Sequence, residues 1–204
     1  MKPLAIAAIV LVALLAIGGM TMVSTSNDII TLDAQCEQMT GQVNSALQRR
    51  LDLIPNLVET VKGYASHESE TLTAVIQARA AATAVKLDAS TLSDPGKLAQ
   101  FNQAQGQLSA ALGRLMVVSE QYPNLKADNH YTDLMVKLEG TENRIKIVRD
   151  NYNKAVTALN TRIRTFPGSL VNSLMAHVAQ RQVFQAEEAA KAAPKVSFGT
   201  EKKS

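Results

Sequence analysis

The side chains that could perform chemistry in this sequence do not stand at the spacing of any familiar metal or nucleophile motif. The three histidines, His67, His130 and His177, have no second histidine three or four residues away, and none is preceded at that distance by a glutamate. The di-metal sites of helical bundles need such Glu-x-x-His pairs. His67-Glu68 starts like a zinc-protease motif, but Thr71 stands where the second histidine ligand belongs. Seryl-nucleophile, phosphate-loop and dinucleotide motifs are also missing. We therefore expect no enzymatic activity, no catalytic or metal-binding residue and no cofactor.

Two polar clusters and one arginine interrupt helical patterns that are otherwise apolar. Polar groups at a packed seam often fix the register of the helices at some cost in stability. That structural role is our first interpretation, and a binding site for a partner or ligand is the alternative. The residues are Arg49, Arg50, Asp52 and Asn56 in the first cluster, Glu139, Glu142, Asn143 and Arg144 in the second, and Arg79.

Arg79 is the most specific of these cases. It follows Leu72 and Val75 at helical spacing, so its side chain should face the core at least in part. A guanidinium stays charged and needs an acceptor there. We expect Glu139 or Glu142 to pair with it.

The elements that position these residues are predicted to be α-helices. The 204-residue chain has no tryptophan, only four tyrosines and four phenylalanines, and a net charge of +3. No basic groove with interleaved aromatic residues is apparent, which argues against nucleic-acid binding. The single cysteine, Cys36, cannot form an internal disulfide. A structural thiol is the simpler interpretation, and an intermolecular disulfide is left open.

Residues 4–23 are twenty residues without a charge, and a helix of that length spans about 30 Å, the thickness of a bilayer core. We expect them to cross the lipid bilayer as an anchor. A cleaved signal peptide is the alternative, although the apolar run is long for one and no A-x-A-like cleavage site follows it. Lys2 precedes the span, and no lysine or arginine follows until Arg49. This asymmetry predicts that the bundle lies outside the cytoplasm.

Helical periodicity continues through most of the remaining chain. Apolar residues from Tyr131 to Leu159 alternate at spacings of three and four, with Asp128 as N-cap and Phe166-Pro167-Gly168 as the end. A second seam from Leu47 to Ala82 passes through Pro55, where we expect a kink; two helices meeting there are the alternative. Further helices are predicted at 94–121, with Asp94 as N-cap before Pro95, and, weakly, at 170–188. The anchor helix should continue beyond the membrane.

The predicted fold class is therefore all-α: an N-terminal transmembrane helix followed by a long antiparallel bundle of about four helices. The predicted divisions are an anchor at 1–26, a bundle at 27–188 and a loose tail at 189–204.

Several stretches resemble the LemA family of bacterial membrane proteins. The first runs Arg49-Arg50-Leu51-Asp52-Leu53-Ile54-Pro55-Asn56-Leu57-Val58, and the second runs Leu138-Glu139-Gly140-Thr141-Glu142-Asn143-Arg144-Ile145. Shorter matches are Tyr122-Pro123-Asn124, Tyr152-Asn153, Asn160-Thr161, Phe166-Pro167 and Pro194-Lys195-Val196-Ser197-Phe198. A Gly-Phe step that the family usually has after the Phe-Pro turn is replaced here by Ala176-His177-Val178.

The resemblance implies a bacterial single-pass protein of the plasma membrane, with a helical bundle and no established enzymatic activity. Some relatives help to build membrane organelles, notably magnetosomes. Our leading hypothesis is a membrane-anchored scaffold that assembles with itself, as a homo-oligomer, or with envelope proteins. A sensing or ligand-binding module that uses the polar clusters is the alternative.

Overall fold

A computed structural model describes residues 2–185, and these residues form helices and connecting segments without any strand. The helices are α1 (Lys2–Tyr64), α2 (Ser69–Ala84), α3 (Ala89–Ser93), α4 (Pro95–Gln121), α5 (Pro123–Lys126), α6 (Asn129–Arg164) and α7 (Gly168–Val171), followed by a π-helical turn at Asn172–Ala176. The all-α prediction is confirmed. The predicted tail at 189–204, and residues 186–188 of the weak last helix, lie outside the described residues.

Helix α1 runs without a break from the apolar segment to the far tip of the bundle. Its 63 residues correspond to about 95 Å at 1.5 Å per residue. It is the one helix of the described part of the chain that is long and apolar enough to cross a membrane, and none of its apolar window is buried. The prediction that this helix continues past the apolar segment is thereby confirmed. Helix α1 also continues without a break through residue 26, where the anchor and the bundle were predicted to divide. That division stays a prediction.

The remaining helices form an antiparallel bundle around the distal part of α1. Helix α6 runs back along α1: Tyr64 Oη donates to Asp128 Oδ2 (2.9 Å) at the tip, and Arg162 donates to Asp28 Oδ2 (2.9 Å) at the base. Helices α2 and α4 pack on each other beside the distal half of this pair. The predicted N-caps are confirmed, because the side chains of Asp94 and Asp128 accept backbone N–H bonds from the first turns of α4 and α6.

Buried apolar side chains form two clusters stacked along α1. We call them the proximal core, nearer the anchor, and the distal core. The proximal core includes Ile29, Cys36 and Val43 of α1, with Tyr152 and Leu159 of α6 among its partners. The distal core is formed by Leu51, Ile54, Leu57, Val58 and Val61 of α1 with residues of α2, α4 and the start of α6, including Leu72, Val75, Leu108, Leu115 and Leu138. Seven of the nine predicted α6 seam residues are buried, while Leu134 and Ala155 are half-buried.

Pro55 does not divide the chain into two helices, so that alternative is wrong. The break in the second predicted seam lies instead at Ala65–Glu68, between α1 and α2. A proline lacks the N–H that would bond to the carbonyl four residues earlier, which here belongs to Leu51. The Nε–H of Arg79 donates to that carbonyl at 2.9 Å. An arginine of α2 therefore satisfies the acceptor that Pro55 leaves free in α1.

This contact corrects the expected partner of Arg79. The side chain is half-buried, as predicted, but it binds backbone rather than Glu139 or Glu142. The helical phase indicated which way Arg79 faces, but it could not show that a backbone carbonyl would be free.

The segment at 177–185 has no regular secondary structure, so the helix predicted at 170–188 is wrong over these residues. We call this segment the strap. Three asparagines, Asn172, Asn160 and Asn153, each bond to one strap residue twice: the side-chain amide donates to the backbone carbonyl, and its oxygen accepts the backbone N–H. The strap partners are Val178, Arg181 and Phe184 respectively. Each asparagine side chain thus makes the two hydrogen bonds to the strap that the backbone of a neighbouring strand would make.

Side chains of the strap complete the proximal core. Phe184 is buried against Tyr152, with ring centroids 5.1 Å apart. Arg181 donates to Asp33 Oδ1 from Nε (3.0 Å) and Nη2 (2.7 Å). Two short stretches of the family resemblance, Tyr152-Asn153 and Asn160-Thr161, thus hold the strap, since Tyr152 Oη also donates to the carbonyl of Gln182.

Two backbone features shape the turn into the strap. Gly168 packs so closely on the end of α6 that an added Cβ would lie 2.0 Å from the carbonyl oxygen of Arg162. His177 has a φ of 51°, in the left-handed region that glycine adopts without steric cost. His177 lies where the resemblance leads us to expect the Gly-Phe step, so the backbone turn explains why a glycine suits this region.

We predict that Arg79→Met destabilises the protein by about 1–3 kcal/mol, because a buried carbonyl loses its only side-chain donor. In a Pro55→Ala background the alanine N–H can bond to Leu51, so Arg79→Met should cost at least about 1 kcal/mol less there. Chemical unfolding of the four full-length variants in detergent measures this coupling. The exposed Arg114→Met is the matched control and should show no coupling to Pro55→Ala. Additive effects of Arg79→Met and Pro55→Ala would contradict the proposed compensation.

Candidate functional site

The most deeply buried charge among the predicted site residues is the guanidinium of Arg50. Only 2 % of this residue is exposed, and its head group reaches α4 and α6 from α1. Nη1 donates to Glu142 Oε1 at 2.9 Å and to Ser109 Oγ at 3.3 Å, while Nη2 donates to Gln105 Oε1. The Nε–H has no hydrogen-bond partner among the described residues. One arginine therefore joins the three longest helices of the bundle.

The network lies where the two cores meet. Arg50 follows Leu47 of the proximal core and precedes Leu51 of the distal core. The carboxylate of Glu142 is partly open to water, with 39 % of its side chain exposed, whereas 3 % of the Arg50 side chain is exposed. A buried ion pair of this kind offsets its desolvation cost only in part. It does fix register, because sliding α6 along α1 would leave the guanidinium without its carboxylate.

A cationic groove opens on the surface between α1 and α6 beside this network. Its volume is about 1150 Å³, and Arg49, Lys137 and Arg144 line it. All three side chains are exposed, and no carboxylate is among the lining residues that the structure describes. Gly41 and Gly140 lie on its two walls. The groove can therefore attract an anionic group, with the guanidiniums able to bind a carboxylate or phosphate through two hydrogen bonds.

A second groove, of about 980 Å³, opens between α1 and the α2–α4 side of the bundle. Asp52 and Lys86 both line it, so its charge is mixed. Asp52 accepts a hydrogen bond from Gln48 Nε2 at 2.7 Å, within α1. A surface pair of this kind contributes little to stability, and we assign no ligand to this groove.

The structure thus separates the predicted site residues into those that belong to the buried network or the cationic groove and those that belong to neither. Arg50 and Glu142 are brought into contact, and Arg49 and Arg144 meet across the cationic groove. Asn56, Glu139 and Asn143 are exposed and lie outside both arrangements.

Sequence reasoning missed Gln105, Ser109 and Lys137. For Gln105 a signal existed, since it stands four residues after Phe101 and three before Leu108, in phase with the apolar face of α4. Ser109 and Lys137 gave none, because only packing brings them to Arg50 and to the groove.

Other titratable groups have structural roles. The pKa of Asp128 is lowered, mainly because the backbone N–H of Tyr131 bonds to the carboxylate and also because Tyr64 does. The Cys36 thiol is buried in the proximal core, and this burial raises its pKa. Among the described residues, no three His, Cys, Asp or Glu side chains cluster as metal ligands would. The three histidines are exposed.

Comparison with known proteins links the chain to one family. The model described as "LemA family" matches residues 39–198. "Protein LemA" of Metamycoplasma hominis is 26 % identical over 144 residues, covering 71 % of this chain and 62 % of that protein. "Magnetosome protein MamQ 2" of Paramagnetospirillum magneticum is 28 % identical over 163 residues, covering 72 % and 60 %. "Magnetosome protein MamQ" of Magnetospirillum gryphiswaldense is 29 % identical over 165 residues, with the same coverage. The chain thus spans about three fifths of the length of these curated relatives.

We predict that Arg50→Met and Glu142→Gln are coupled by about 1 kcal/mol or more in the free energy of unfolding, since exposed pairs usually give less. A double-mutant cycle by chemical unfolding measures this. The matched control pairs Arg79→Met with Glu142→Gln and should be additive, because Arg79 binds Leu51. If the coupling energy were larger between Arg79→Met and Glu142→Gln than between Arg50→Met and Glu142→Gln, Glu142 would be the partner of Arg79 instead.

Proposed function

Starting from the fact that the chain belongs to the LemA family, we propose that it is a membrane-anchored helical scaffold of the bacterial envelope. The bundle would present a fixed surface on which copies of the chain, or envelope proteins, assemble. The family match and the relatives support a membrane-associated helical protein; the scaffold role and its partners are our proposal.

The observation that carries this proposal is the continuity of α1. A single helix joins the apolar segment to the bundle tip, without the glycine- or proline-rich linker that would let the bundle move freely. Such a helix transmits position and orientation from the bilayer to the bundle. The relatives' names also support an assembly role, since several are named as magnetosome proteins and none of the names states a reaction.

The cationic groove is the surface we assign to the partner. Arg49, Lys137 and Arg144 form an unbalanced positive patch, and an acidic segment of a partner protein would complement it. The Arg50–Glu142 pair directly behind the groove keeps α1 and α6 in register and so keeps its walls in place.

A sensing module is the second candidate, and the same groove favours it. Its volume of about 1150 Å³ would also admit a small anionic ligand. The two candidates differ in what occupies the groove in the native membrane, either a protein or a small molecule.

We further propose that residues 4–23 stay attached as a single transmembrane helix in the plasma membrane, with the bundle outside the cytoplasm. The distribution of lysine and arginine around the span supports this orientation.

A photoreactive amino acid at Arg144 of the full-length protein, activated in native membranes, should give discrete adducts that mass spectrometry identifies as a second copy or an envelope protein. The matched control carries the same photoreactive amino acid at Lys146, which is exposed, lies two positions further along α6 and is outside the groove. Ser24→Pro, which interrupts α1 between span and bundle, should weaken the adduct, whereas Ser24→Ala should not. If Arg144 gives no more protein adduct than Lys146, the scaffold proposal fails and the ligand-binding candidate is favoured.

For the orientation, Ser90→Cys should react with a membrane-impermeant maleimide in cells whose inner membrane is intact. Ser90 is exposed, whereas Cys36 is fully buried and its raised pKa disfavours the reactive thiolate, so the native cysteine should give little background. Reaction of Ser90→Cys only after lysis of the inner membrane would reverse the orientation.

A further inference from the structure

An exposed apolar patch lies at the base of the bundle, where α6 turns into α7. Phe166 is 82 % exposed, Leu174 59 %, and Leu170 and Met175 48 % each. Phe166, Leu170 and Leu174 are spaced four residues apart, so Leu170 and Leu174 project from the same side of the helical turn. By contrast Val171, one residue along, is buried in the proximal core. We call these four residues the base patch.

The height of the base patch along α1 follows from its neighbours. Arg162 donates to Thr25 Oγ1 at 3.2 Å and to Asp28 Oδ2 at 2.9 Å, so this turn of α6 is level with the residues that follow the apolar span. Because α6 is antiparallel to α1, each further residue of α6 lies nearer the span. Helix α6 continues for two residues beyond Arg162, to Arg164, which corresponds to roughly 3 Å at helical rise. The turn that carries Phe166 therefore begins near the end of the span.

Packing of the turn on α1 supports the same height. Both α7 and the π-helical turn contact α1. Met22, which belongs to the apolar span, is partly covered by the proximal core, while its neighbours Thr21 and Val23 are exposed. The base of the bundle therefore overlaps the end of the apolar span.

We propose that the base patch is a second membrane contact, in which Phe166, Leu170, Leu174 and Met175 insert among the lipids at the membrane surface. The occupant is the lipid bilayer, because the patch continues the apolar surface of residues 4–23 at its end. An exposed apolar patch of this size is otherwise unfavourable in water, and short apolar segments do bind at membrane interfaces. Arg164 is exposed in the last turn of α6, and with the base patch inserted its guanidinium can bind lipid phosphates.

A transmembrane helix together with the base patch restrains the bundle more than the transmembrane helix alone. A single transmembrane helix can tilt and rotate in the bilayer. Apolar side chains inserted in the membrane beside this helix restrict both motions. They therefore determine which face of the bundle points away from the membrane. The proposal rests on the transmembrane assignment of residues 4–23 and is independent of whether the groove binds a partner.

Single cysteines that carry an environment-sensitive fluorophore, in the full-length protein reconstituted in lipid nanodiscs, test the proposal. Phe166→Cys, Leu170→Cys and Leu174→Cys should be quenched by lipids with a spin label near the headgroup. They should be quenched several-fold less by aqueous iodide than Val136→Cys. Val136 is the matched control because it is also an apolar α6 residue, is 64 % exposed, and lies about 42 Å up the helix from Arg164.

Two results at the base patch would overturn the proposal. Iodide quenching as strong as at Val136→Cys would show that the patch is in water. Protection from both iodide and the lipid quencher would show that protein, such as a second copy, covers it. Leu11→Cys in the span is the reference for insertion. If lipid fails to quench Leu11→Cys, the transmembrane assignment itself is wrong and the proposal falls with it, whatever the groove binds.

Discussion

The antiparallel contact between α1 and α6 contributes to both hydrophobic cores, and the other elements pack on the surface that these two helices form. Near the anchor the pair is covered by α3, the start of α4, α7, the π-helical turn and the strap, whereas α2 and α4 cover it near the tip. Contacts at both ends, Tyr64 with Asp128 and Arg162 with Asp28, keep the two helices aligned along their whole common length. Since α1 also carries the apolar segment, this one pairing sets where the described residues of the bundle lie relative to that segment.

Polar groups inside the bundle determine one arrangement among many apolar ones. A heptad seam of Leu, Ile and Val can shift by seven residues without losing much burial. The Arg50 guanidinium cannot shift, because it needs Gln105 from α4 and Glu142 from α6 together. Arg79 acts similarly between α2 and α1, since it binds the Leu51 carbonyl that Pro55 leaves free. Each arginine thus contributes specificity of packing more than net stability.

The same physical reasoning separates structure from function among the polar residues. Arg50, Arg79, Asn153 and Asn160 are occupied by contacts within the chain. Arg49, Lys137 and Arg144 are exposed around a groove whose walls carry no carboxylate. Charges that the fold does not use are the ones available to a partner, and this is why we place the functional surface at the groove rather than at the buried ion pair.

The sequence by itself determined the features that depend on local periodicity and composition. These are the apolar span, the long seam of α6, the N-caps Asp94 and Asp128, and the end of α6 at the Phe-Pro turn. Each is encoded within a few helical turns, and the motifs around Arg49-Arg50 and Glu139-Gly140 also carried the family resemblance. Tertiary structure alone decided that Glu142 pairs with Arg50 and that Arg79 serves Pro55, because those contacts join residues 92 and 28 positions apart. It also decided that 177–185 is not helical: the residues there have no pattern that excludes a helix, and two of the asparagines that bind its backbone, Asn153 and Asn160, belong to α6.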